Sequence, residues 1–435
     1  MHPVIALLQS MFYNKTKDLL VLISIQELNP KGAPYSMTSI KASSSYRIPL
    51  FCIVTLLFWM SMYTSVPIMA PYVEFLGGNH QLAGWIVGMY GISQMLLRIP
   101  VGIMSDRFHK RKLFITFGLL FTAITGLGLW ITHDFTWILI LRALAGAAAA
   151  TWVDFTVLFT SYYKHEDSTK AIGTISFFNS LGQVFGILGA GWAADSFGWE
   201  AVFILGAVLG LLGMIGSLFL VEKVELDAPK ITMRGIGDVA TDRTLLFVSL
   251  LAILSQVLIF ATVFGFTPVY ATQLGADKFS LSMLSLFANV PVALASLFGG
   301  RRWAVRYGEK RMVVWGFILM GIFTFTIPFT HHLWVLMVTQ AFAGFGRGLS
   351  FTLLMGMSIK HMPADKRATA MGFFQAIYGL GMFIGPVLMG IIGDWFSLNQ
   401  GFIVLGVLGV LSALLSQWFV QSKHQAKTSS STAAL

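Results

Sequence analysis

Long apolar runs and short polar connections alternate along the whole chain. Twelve apolar segments recur, each of about 20 residues, the length that an α-helix needs to cross the hydrocarbon core of a bilayer. They lie near 48–72, 82–104, 113–132, 135–160, 169–193, 200–221, 245–272, 280–300, 312–329, 333–359, 368–392 and 401–420. The pattern predicts an all-α membrane protein with twelve transmembrane helices.

One connection is longer than the others and divides the chain into two parts. The charged linker 222–244 separates an N-terminal bundle, 48–221, from a C-terminal bundle, 245–421, with six predicted helices in each. Residues 422–435 form a polar tail. These boundaries predict two six-helix bundles joined by the linker.

The segment before the first predicted helix, 1–47, does not read as a membrane span. Its first 36 residues are moderately apolar, but Lys15, Lys17 and Asp18 interrupt them. Two interpretations remain open: Met37 is the true initiator, or residues 1–36 form an arm that precedes the membrane domain.

The two bundles repeat each other in sequence. Four glycines and an aspartate recur at a spacing of 199 residues, and the pairs are Gly173/Gly372, Gly182/Gly381, Gly186/Gly385, Gly191/Gly390 and Asp195/Asp394. Because six spans are an even number, both copies insert in the same orientation, and an axis along the membrane normal relates them. The repeat predicts pseudo-twofold symmetry with a binding site between the bundles near the midplane.

Composition excludes a soluble protein. The chain is 56% hydrophobic and 11% charged, whereas soluble proteins carry about 25% charged residues. The net charge of +10 needs no nucleic-acid partner, since 22 of the 29 Lys and Arg residues fall on one predicted side of the membrane and one on the other. By the positive-inside rule we expect a multi-pass protein of the cell membrane with both termini in the cytoplasm.

Signs of catalysis and of bound cofactors are weak. The chain has one cysteine, Cys52, and an isolated histidine pair, His331 and His332, without a third metal ligand nearby. A phosphate-binding loop of the form Gly-x4-Gly-Lys-Ser/Thr does not occur in the sequence. We therefore expect no metal, no cofactor and no enzyme activity, and a gradient as the energy source.

A dense charge cluster lies between the second and third predicted helices. The chain there reads GIMSDRFHKRK, from Gly102 to Lys112. It resembles the loop of the major facilitator superfamily, Gly-x-x-x-Asp-Arg-x-Gly-Arg-Arg/Lys. The matching residues are Gly102, Asp106, Arg107, Lys110 and Arg111. His109 stands where the family has glycine, and the second copy keeps Gly308 but has Val305 in place of the acid.

Two further elements are similar to motifs of that family. Arg142 and Gly146 resemble its Arg-x-x-x-Gly element, and Gly372, Gly381, Gly385 and Pro386 are similar to a glycine-proline signature of its antiporters. The family's signature lies in the fifth span, whereas here it lies in the eleventh. The resemblance implies two bundles that rock around a shared site, with Asp106 and its basic neighbours latching the cytoplasmic side. The alternative for the loop is a solvated cluster that only sets topology.

The paired glycines predict close helix contacts. Gly182-x3-Gly186 and Gly381-x3-Gly385, with Pro386, place small residues on one helix face and let backbones approach. These faces serve packing alone, or they also move as access alternates.

Four ionisable residues lie within predicted helices and are therefore candidates for function: Arg98, Arg142, Asp154 and Arg347. Asp154 is a candidate proton carrier, and an alternative interpretation pairs it with Arg98 in a structural ion pair. Arg142 and Arg347 are candidates for binding an anionic group or for proton coupling, with cavity-lining arginines bound to backbone and water as the alternative.

Further polar residues within the predicted helices complete the set of candidates. Each is individually typical of an interhelical hydrogen bond, and only together do they indicate a polar central site; they are Gln94, Asn179, Gln183, Gln256, Asn289 and Gln375. Trp59 and Trp152 are candidates for stacking on a substrate.

The sequence thus predicts a secondary transporter, a symporter or antiporter, for a small polar or anionic organic solute. We expect it to be proton-coupled and monomeric in the bilayer. The alternatives are a proton-driven multidrug exporter, favoured by 14% aromatic residues, and a receptor on the same scaffold that does not transport.

Overall fold

The computed structural model describes residues 46–164, 167–222, 233–298, 303–363 and 366–432. The expectations for residues 1–45 and for 223–232 of the linker lie outside these ranges. Within them the chain is helical, and no β-strand occurs. Two short helices, Met233–Val239 and Ala304–Tyr307, accompany the twelve long ones.

The long helices agree in number and order with the predicted spans. They are α1 (Arg47–Thr64 and Met69–Phe75), α2 (His80–Phe108), α3 (Arg111–Ile131), α4 (Phe135–Ala150 and Trp152–Thr160), α5 (Ser168–Phe197), α6 (Trp199–Ser217), α7 (Arg243–Ala261, a π-helix at Thr262–Phe266, and Thr267–Gln273), α8 (Lys278–Phe298), α9 (Glu309–Phe325 and a 3-10 turn at Ile327–Phe329), α10 (Leu333–Lys360), α11 (Arg367–Ile377 and Gly379–Trp395) and α12 (Leu398–Thr432).

In the described residues, eleven of these helices are long and apolar enough to cross a membrane. The remaining one, α10, has 28 residues, about 42 Å at 1.5 Å per residue, and is long enough to cross. It is less apolar because it carries buried Gln340 and Arg347 together with several glycines and serines. The helix with the weakest hydropathy is therefore also one that buries a charge.

The repeat is visible in the turns between helices. We call α1–α6 the N-terminal half and α7–α12 the C-terminal half. Gly77 and Gly275 have φ of 87° and 85° in the turns that follow α1 and α7, and His109 and Gly308 have φ of 53° and 90° in the turns before α3 and α9. His109 thus adopts the left-handed conformation although it replaces a glycine.

The glycine pairs of the Gly-x3-Gly patterns pack within each half. Cβ atoms at Gly182 and Gly186 would lie 2.7 and 2.6 Å from carbonyl oxygens of α1, and Gly381 and Gly385 meet the backbone of α7 in the same way. Only glycine allows such an approach, so these positions bring α5 onto α1 and α11 onto α7.

The two halves meet mainly where α2 packs on α11. Gly84, Gly88 and Gly91 of α2 face Pro386, Phe383 and Met382 of α11, respectively. A Cβ at Gly88 would lie 3.0 Å from the Phe383 carbonyl oxygen. These small residues let the two helix backbones touch across the halves.

This seam extends to one side of the membrane domain. We call the side of the loop between α2 and α3 the basic side, and the other the opposite side. On the opposite side Gly390 of α11 faces His80 and Gln81 of α2, and Gly191 of α5 faces Ser282 of α8. Gly191 and Gly390 are repeat-related, so the seam has the symmetry of the fold.

Asp394 of α11 caps the first turn of α2 across the seam. Its Oδ1 accepts a hydrogen bond from His80 N at 3.0 Å, and its Oδ2 accepts one from Gln81 N at 2.9 Å. The next two amides are satisfied locally, since Leu82 N donates to Asn79 Oδ1 and Ala83 N to Asn79 O. Half of the free N–H groups at this helix terminus therefore depend on the other half of the protein.

We predict that Gly308→Ala lowers the thermal unfolding midpoint by roughly 1–3 °C, since the Gly308 backbone, at φ 90° and ψ 136°, is accessible mainly to glycine and an L-residue there costs about 1–3 kcal/mol. A Cβ there meets nothing within 4 Å, so only backbone strain acts. Gly356→Ala is the control, because its Cβ also meets nothing but its backbone is helical. His109→Gly should not lower the midpoint. An equal drop for Gly308→Ala and Gly356→Ala would contradict this account.

We predict that Asp394→Asn shifts the protein roughly fivefold toward a state in which the seam is open. Asparagine accepts one of the two hydrogen bonds and has no charge to interact with the α2 dipole, a loss of about 1 kcal/mol. Spin labels at His133→Cys and His331→Cys, both exposed on the opposite side, report the distance between the halves in a Cys52→Ser background. Asp195→Asn, the exposed repeat-related residue, should leave the distances unchanged; an identical distribution in Asp394→Asn would refute the cap.

Candidate functional site

A cavity of about 300 Å³ lies between the two halves. Side chains from eight helices line it, four from each half: α1, α2, α4 and α5, and α7, α8, α10 and α11. The volume is at the lower end of the range of small-molecule pockets, about 300–1,000 Å³. The cavity therefore lies between the two halves, where the repeat predicts a binding site.

Eight of the ten polar candidates named from the sequence line this cavity. They are Gln94, Arg98, Arg142, Asn179, Gln183, Gln256, Asn289 and Arg347. Asp154 and Gln375 are not among the lining residues. Helical periodicity could place each candidate on a helix face, but it could not determine which faces meet.

Arg142 enters the cavity from α4. Its side chain is almost fully buried, with a relative exposure of 4%, and its guanidinium carbon lies 5.3 Å from the centre of the Tyr90 ring. Its Nε has no hydrogen-bond partner in the described residues. The aromatic face supplies a partial counter-charge but leaves a buried donor unsatisfied.

Arg347 extends into the cavity from α10, and its guanidinium has a hydrogen-bond acceptor. Its Nη2 donates to Asn289 Oδ1 at 2.7 Å, and its guanidinium carbon lies 5.9 Å from the centre of the Phe264 ring. Both halves thus present an arginine that rests on an aromatic ring.

Arg98 and Gln94 lie one turn apart on α2, and both are buried. The Nε and Nη1 of Arg98 and the Oε1 of Gln94 have no hydrogen-bond partner in the described residues. Arg98 does not reach an interface with water; it lines the cavity with 4% exposure.

The cavity is positively charged. No aspartate or glutamate lines it among the residues that the structure describes, whereas three arginines do. Because the guanidinium group stays protonated in proteins, these charges cannot be removed by proton loss.

Aromatic side chains form a third of the lining, eight of 23 residues: Trp59, Tyr63, Tyr90, Trp152, Phe260, Phe264, Phe351 and Tyr378. Two ring contacts within this lining cross between the halves. Tyr90 stacks on Phe260 with centroids 6.2 Å apart, and Tyr63 meets Phe264 edge-on at 6.2 Å. Phe264 lies in the π-helix of α7, an irregularity that often occurs at functional sites.

Asp154 belongs to a different cluster, on the basic side of the N-terminal half. It is fully buried, and its Oδ1 accepts a hydrogen bond from Arg111 Nη1 at 3.1 Å. Arg111 also pairs with Asp106 through Nη2. The interpretation that paired Asp154 with Arg98 is therefore wrong: the chain returns after α2 and brings Arg111 to Asp154, while Arg98 points into the cavity.

The loop that carries this cluster is fixed to the end of α6. Glu222 accepts hydrogen bonds from Arg111 N at 3.0 Å and from Lys112 N at 2.8 Å, and so caps α3. Lys112 Nζ donates to Leu218 O at 2.7 Å. Arg107 and Lys110 are exposed. The loop is thus held in place by hydrogen bonds to the chain after α6. Arg111 faces inward, and Arg107 and Lys110 face outward.

Sequence reasoning missed the seam and part of the aromatic lining. The pattern Gly84-x3-Gly88 in α2 has the same spacing as the glycine pairs that were recognised, and it was a usable signal for the seam. No comparable signal marked Tyr63, Phe264 or Phe351, because isolated aromatic residues are common throughout apolar helices.

Comparison with known proteins places the chain in one family. The model of the Major Facilitator Superfamily matches residues 51–301 and 252–434. An uncharacterized MFS-type transporter of Methanocaldococcus jannaschii is 23% identical over 376 residues, 82% of this chain and 96% of that protein. A multi-drug resistance efflux pump, PmrA, of Streptococcus pneumoniae is 31% identical over 194 residues, 43% of this chain and 48% of that pump.

A solved structure shares the fold. The inward-facing, unoccupied crystal structure of a bacterial homolog of the human lysosomal transporter Spinster superposes with a TM-score of 0.73, at 17% identity, over 87% of this chain and 98% of that one. Together with the twelve helices, the repeat and the central cavity, these matches confirm the fold and the family resemblance: the chain is a membrane transporter protein of the Major Facilitator Superfamily.

Proposed function

We propose that this protein is a secondary active transporter of a small polar or anionic organic solute. The observation that carries the proposal is the cavity between the halves, which is lined by three buried arginines and several amides and by no carboxylate among the described residues. A buried charge is stabilised only when it is paired. An anionic or strongly polar ligand supplies that pairing.

The contacts between the halves support transport by alternating access. The seam on the opposite side consists of glycine contacts and the two hydrogen bonds to Asp394. Such contacts can separate without rearrangement within either half. We propose that the basic side is cytoplasmic, in the cell membrane, because the predicted spans assign 22 basic residues to that side and one to the other, and that this state is inward-facing.

The loop between α2 and α3 fits the role of a latch for the alternate state. In this structure Asp106 is paired with Arg111 of its own half. When the basic ends of the halves come together, Asp106 can instead accept hydrogen bonds from a helix terminus of the C-terminal half. Asp394 makes a contact of this kind on the opposite side, which supports a carboxylate cap between the halves.

Proton coupling through Asp154 is part of the proposal. Asp154 is fully buried and shares Arg111 with Asp106. Loss or gain of its proton changes how strongly it holds Arg111, and therefore how freely Asp106 can change partners. Because Asp154 lies outside the cavity lining, it would act through the latch and not by touching the solute. The protein would work as a monomer, since each chain contains both halves.

A proton-driven multidrug exporter is the second candidate. It is supported by the aromatic third of the cavity lining and by the similarity of half the chain to the efflux pump PmrA. The two candidates differ in the charge of the solute, since a cationic drug would meet three arginines and no carboxylate in the described lining of the cavity.

We predict that Asp106→Asn lowers the initial transport rate at least tenfold, the effect of losing a charge-assisted interaction of about 1.5–3 kcal/mol. Transport into cells measures the rate, and detergent-extracted yield and thermal unfolding verify insertion and folding. Asp195→Asn, exposed on the opposite side, is the control. Wild-type kinetics in Asp106→Asn would remove the latch from the mechanism.

The proposal as a whole is tested in proteoliposomes. A screen of small anions, zwitterions and cations for thermal stabilisation of the purified protein supplies the solute, since a ligand stabilises the state that binds it. We predict that a pH gradient drives accumulation of this solute by the wild type. Asp154→Asn should lose accumulation, at least tenfold, but keep exchange of labelled for unlabelled solute.

Two results would overturn parts of this account. Full pH-driven accumulation by Asp154→Asn would exclude that residue as the proton carrier. Absence of flux of every stabilising solute by the wild type would exclude transport and favour a receptor.

A further inference from the structure

We propose that the solute is an aromatic organic anion, that Arg142 of the N-terminal half holds its acidic group, and that the ring lies among the aromatic side chains that meet between the halves. This inference rests on the proposed transport function and deepens it by naming the class of solute.

The first argument is the charge of the cavity. Three guanidinium groups line it, and no lining residue that the structure describes carries a negative charge. The nearest buried acid of the N-terminal half, Asp154, is already held by Arg111. The charges of the cavity therefore remain without a carboxylate partner until a ligand brings one.

The second argument is that the arginines of the cavity differ in which of their N–H groups have hydrogen-bond acceptors. Arg347 donates to Asn289 at 2.7 Å, whereas Arg142 keeps an unpartnered Nε and Arg98 keeps unpartnered Nε and Nη1 among the described residues. Both N-terminal arginines are more than nine-tenths buried. Buried donors without acceptors are costly, so an acidic group is best placed on the N-terminal half.

The position of Arg142 singles it out from Arg98. Its guanidinium lies over the ring of Tyr90, and Tyr90 stacks on Phe260 of the other half with an interplanar angle of 14°. Arg98 lies eight residues further along α2, about 12 Å toward the basic side. Arg142 is thus the cation next to the aromatic contact between the halves, while Arg98 lies nearer the basic side.

The third argument is the aromatic lining. Trp59 and Trp152 meet edge-on at 5.2 Å, and Phe351 meets Tyr378 at 5.3 Å. Rings from both halves therefore surround the space beside the arginines. A ligand ring can take offset or edge-on positions among them, whereas a small inorganic anion would leave this apolar surface wet. A lipophilic cation would match the rings but add a positive charge to three others.

The test compares three probes of one shape with different charge: 2-naphthoate, its neutral amide 2-naphthamide, and the cation 2-naphthylmethylammonium. Full-length protein in nanodiscs is titrated with each by calorimetry. We expect 2-naphthoate to bind at least tenfold more tightly than the amide, and the ammonium compound not to compete. Cyclohexanecarboxylate should bind several-fold more weakly than 2-naphthoate, because it lacks the aromatic faces.

Variants then assign the acidic group to Arg142. The Arg142→Gln variant should bind 2-naphthoate and 2-naphthamide with about equal affinity, and it should retain binding of the amide. Arg142→Lys should restore part of the preference for 2-naphthoate. A role in packing alone would weaken all probes equally. Arg306→Gln is the control, since Arg306 is exposed and does not line the cavity.

The outcomes separate this inference from the proposed function. Equal or tighter binding of the ammonium probe, no binding of 2-naphthoate, or an unchanged preference in Arg142→Gln would overturn the solute class. Counterflow of a lipophilic cation in proteoliposomes would do the same but leave transport standing. Selective binding of 2-naphthoate together with absence of any flux would support the ligand class and overturn transport.

Discussion

The close approach of α2 and α11 is the contact on which the arrangement of the two halves depends. Glycines at 84, 88 and 91 allow the α2 backbone to touch α11, and Asp394 supplies two acceptors for the first turn of α2. Without side chains between them, the helices meet along the opposite side and the middle of the membrane domain. The position of this seam decides where the central cavity lies and which side it faces.

The distribution of charge follows from that geometry. Acids that fall within or beside the spans are used in contacts away from the cavity: Asp394 at the seam, Glu74 with His80 on the opposite side, and Asp154 with Arg111 on the basic side. The arginines that line the cavity are stabilised in part by aromatic faces and one amide. The described lining of the cavity therefore carries arginines, while these acids are engaged in contacts elsewhere.

The two halves share a backbone plan but not the same chemistry. Positive φ recurs at repeat-related turns, and Gly191 and Gly390 both face the partner half. Yet the N-terminal half has the Asp106–Arg111–Asp154 cluster, whereas the C-terminal half has an exposed valine, Val305, at the position of the acid. Duplication preserved what helix packing requires, while the charged groups diverged.

The turn before α3 keeps a positive φ although histidine, His109, stands there in place of glycine. His109 adopts the left-handed helical conformation, at φ 53° and ψ 34°, whereas the repeat-related Gly308 shares the positive φ but has an extended ψ, at φ 90° and ψ 136°. Capping of α3 by Glu222 and the bond of Lys112 to Leu218 hold the chain that follows the turn. Histidine is among the residues that tolerate this region best, so the loop keeps its course.

The sequence by itself determined the twelve helices, their order and the duplication, because the length of an apolar run and the spacing of repeated glycines are properties of the chain alone. It also identified eight of the polar residues that line the cavity, since a charge or amide within a lipid-spanning helix must face protein. Only the tertiary structure decided which of these side chains meet. In the structure Asp154 pairs with Arg111 and not with Arg98. Asp154 and Gln375 lie outside the cavity lining, whereas Tyr63, Phe260 and Phe264 are part of it. Such pairings depend on helix rotation and on the depth at which two helices cross, and one helix's sequence fixes neither until its neighbours are packed against it.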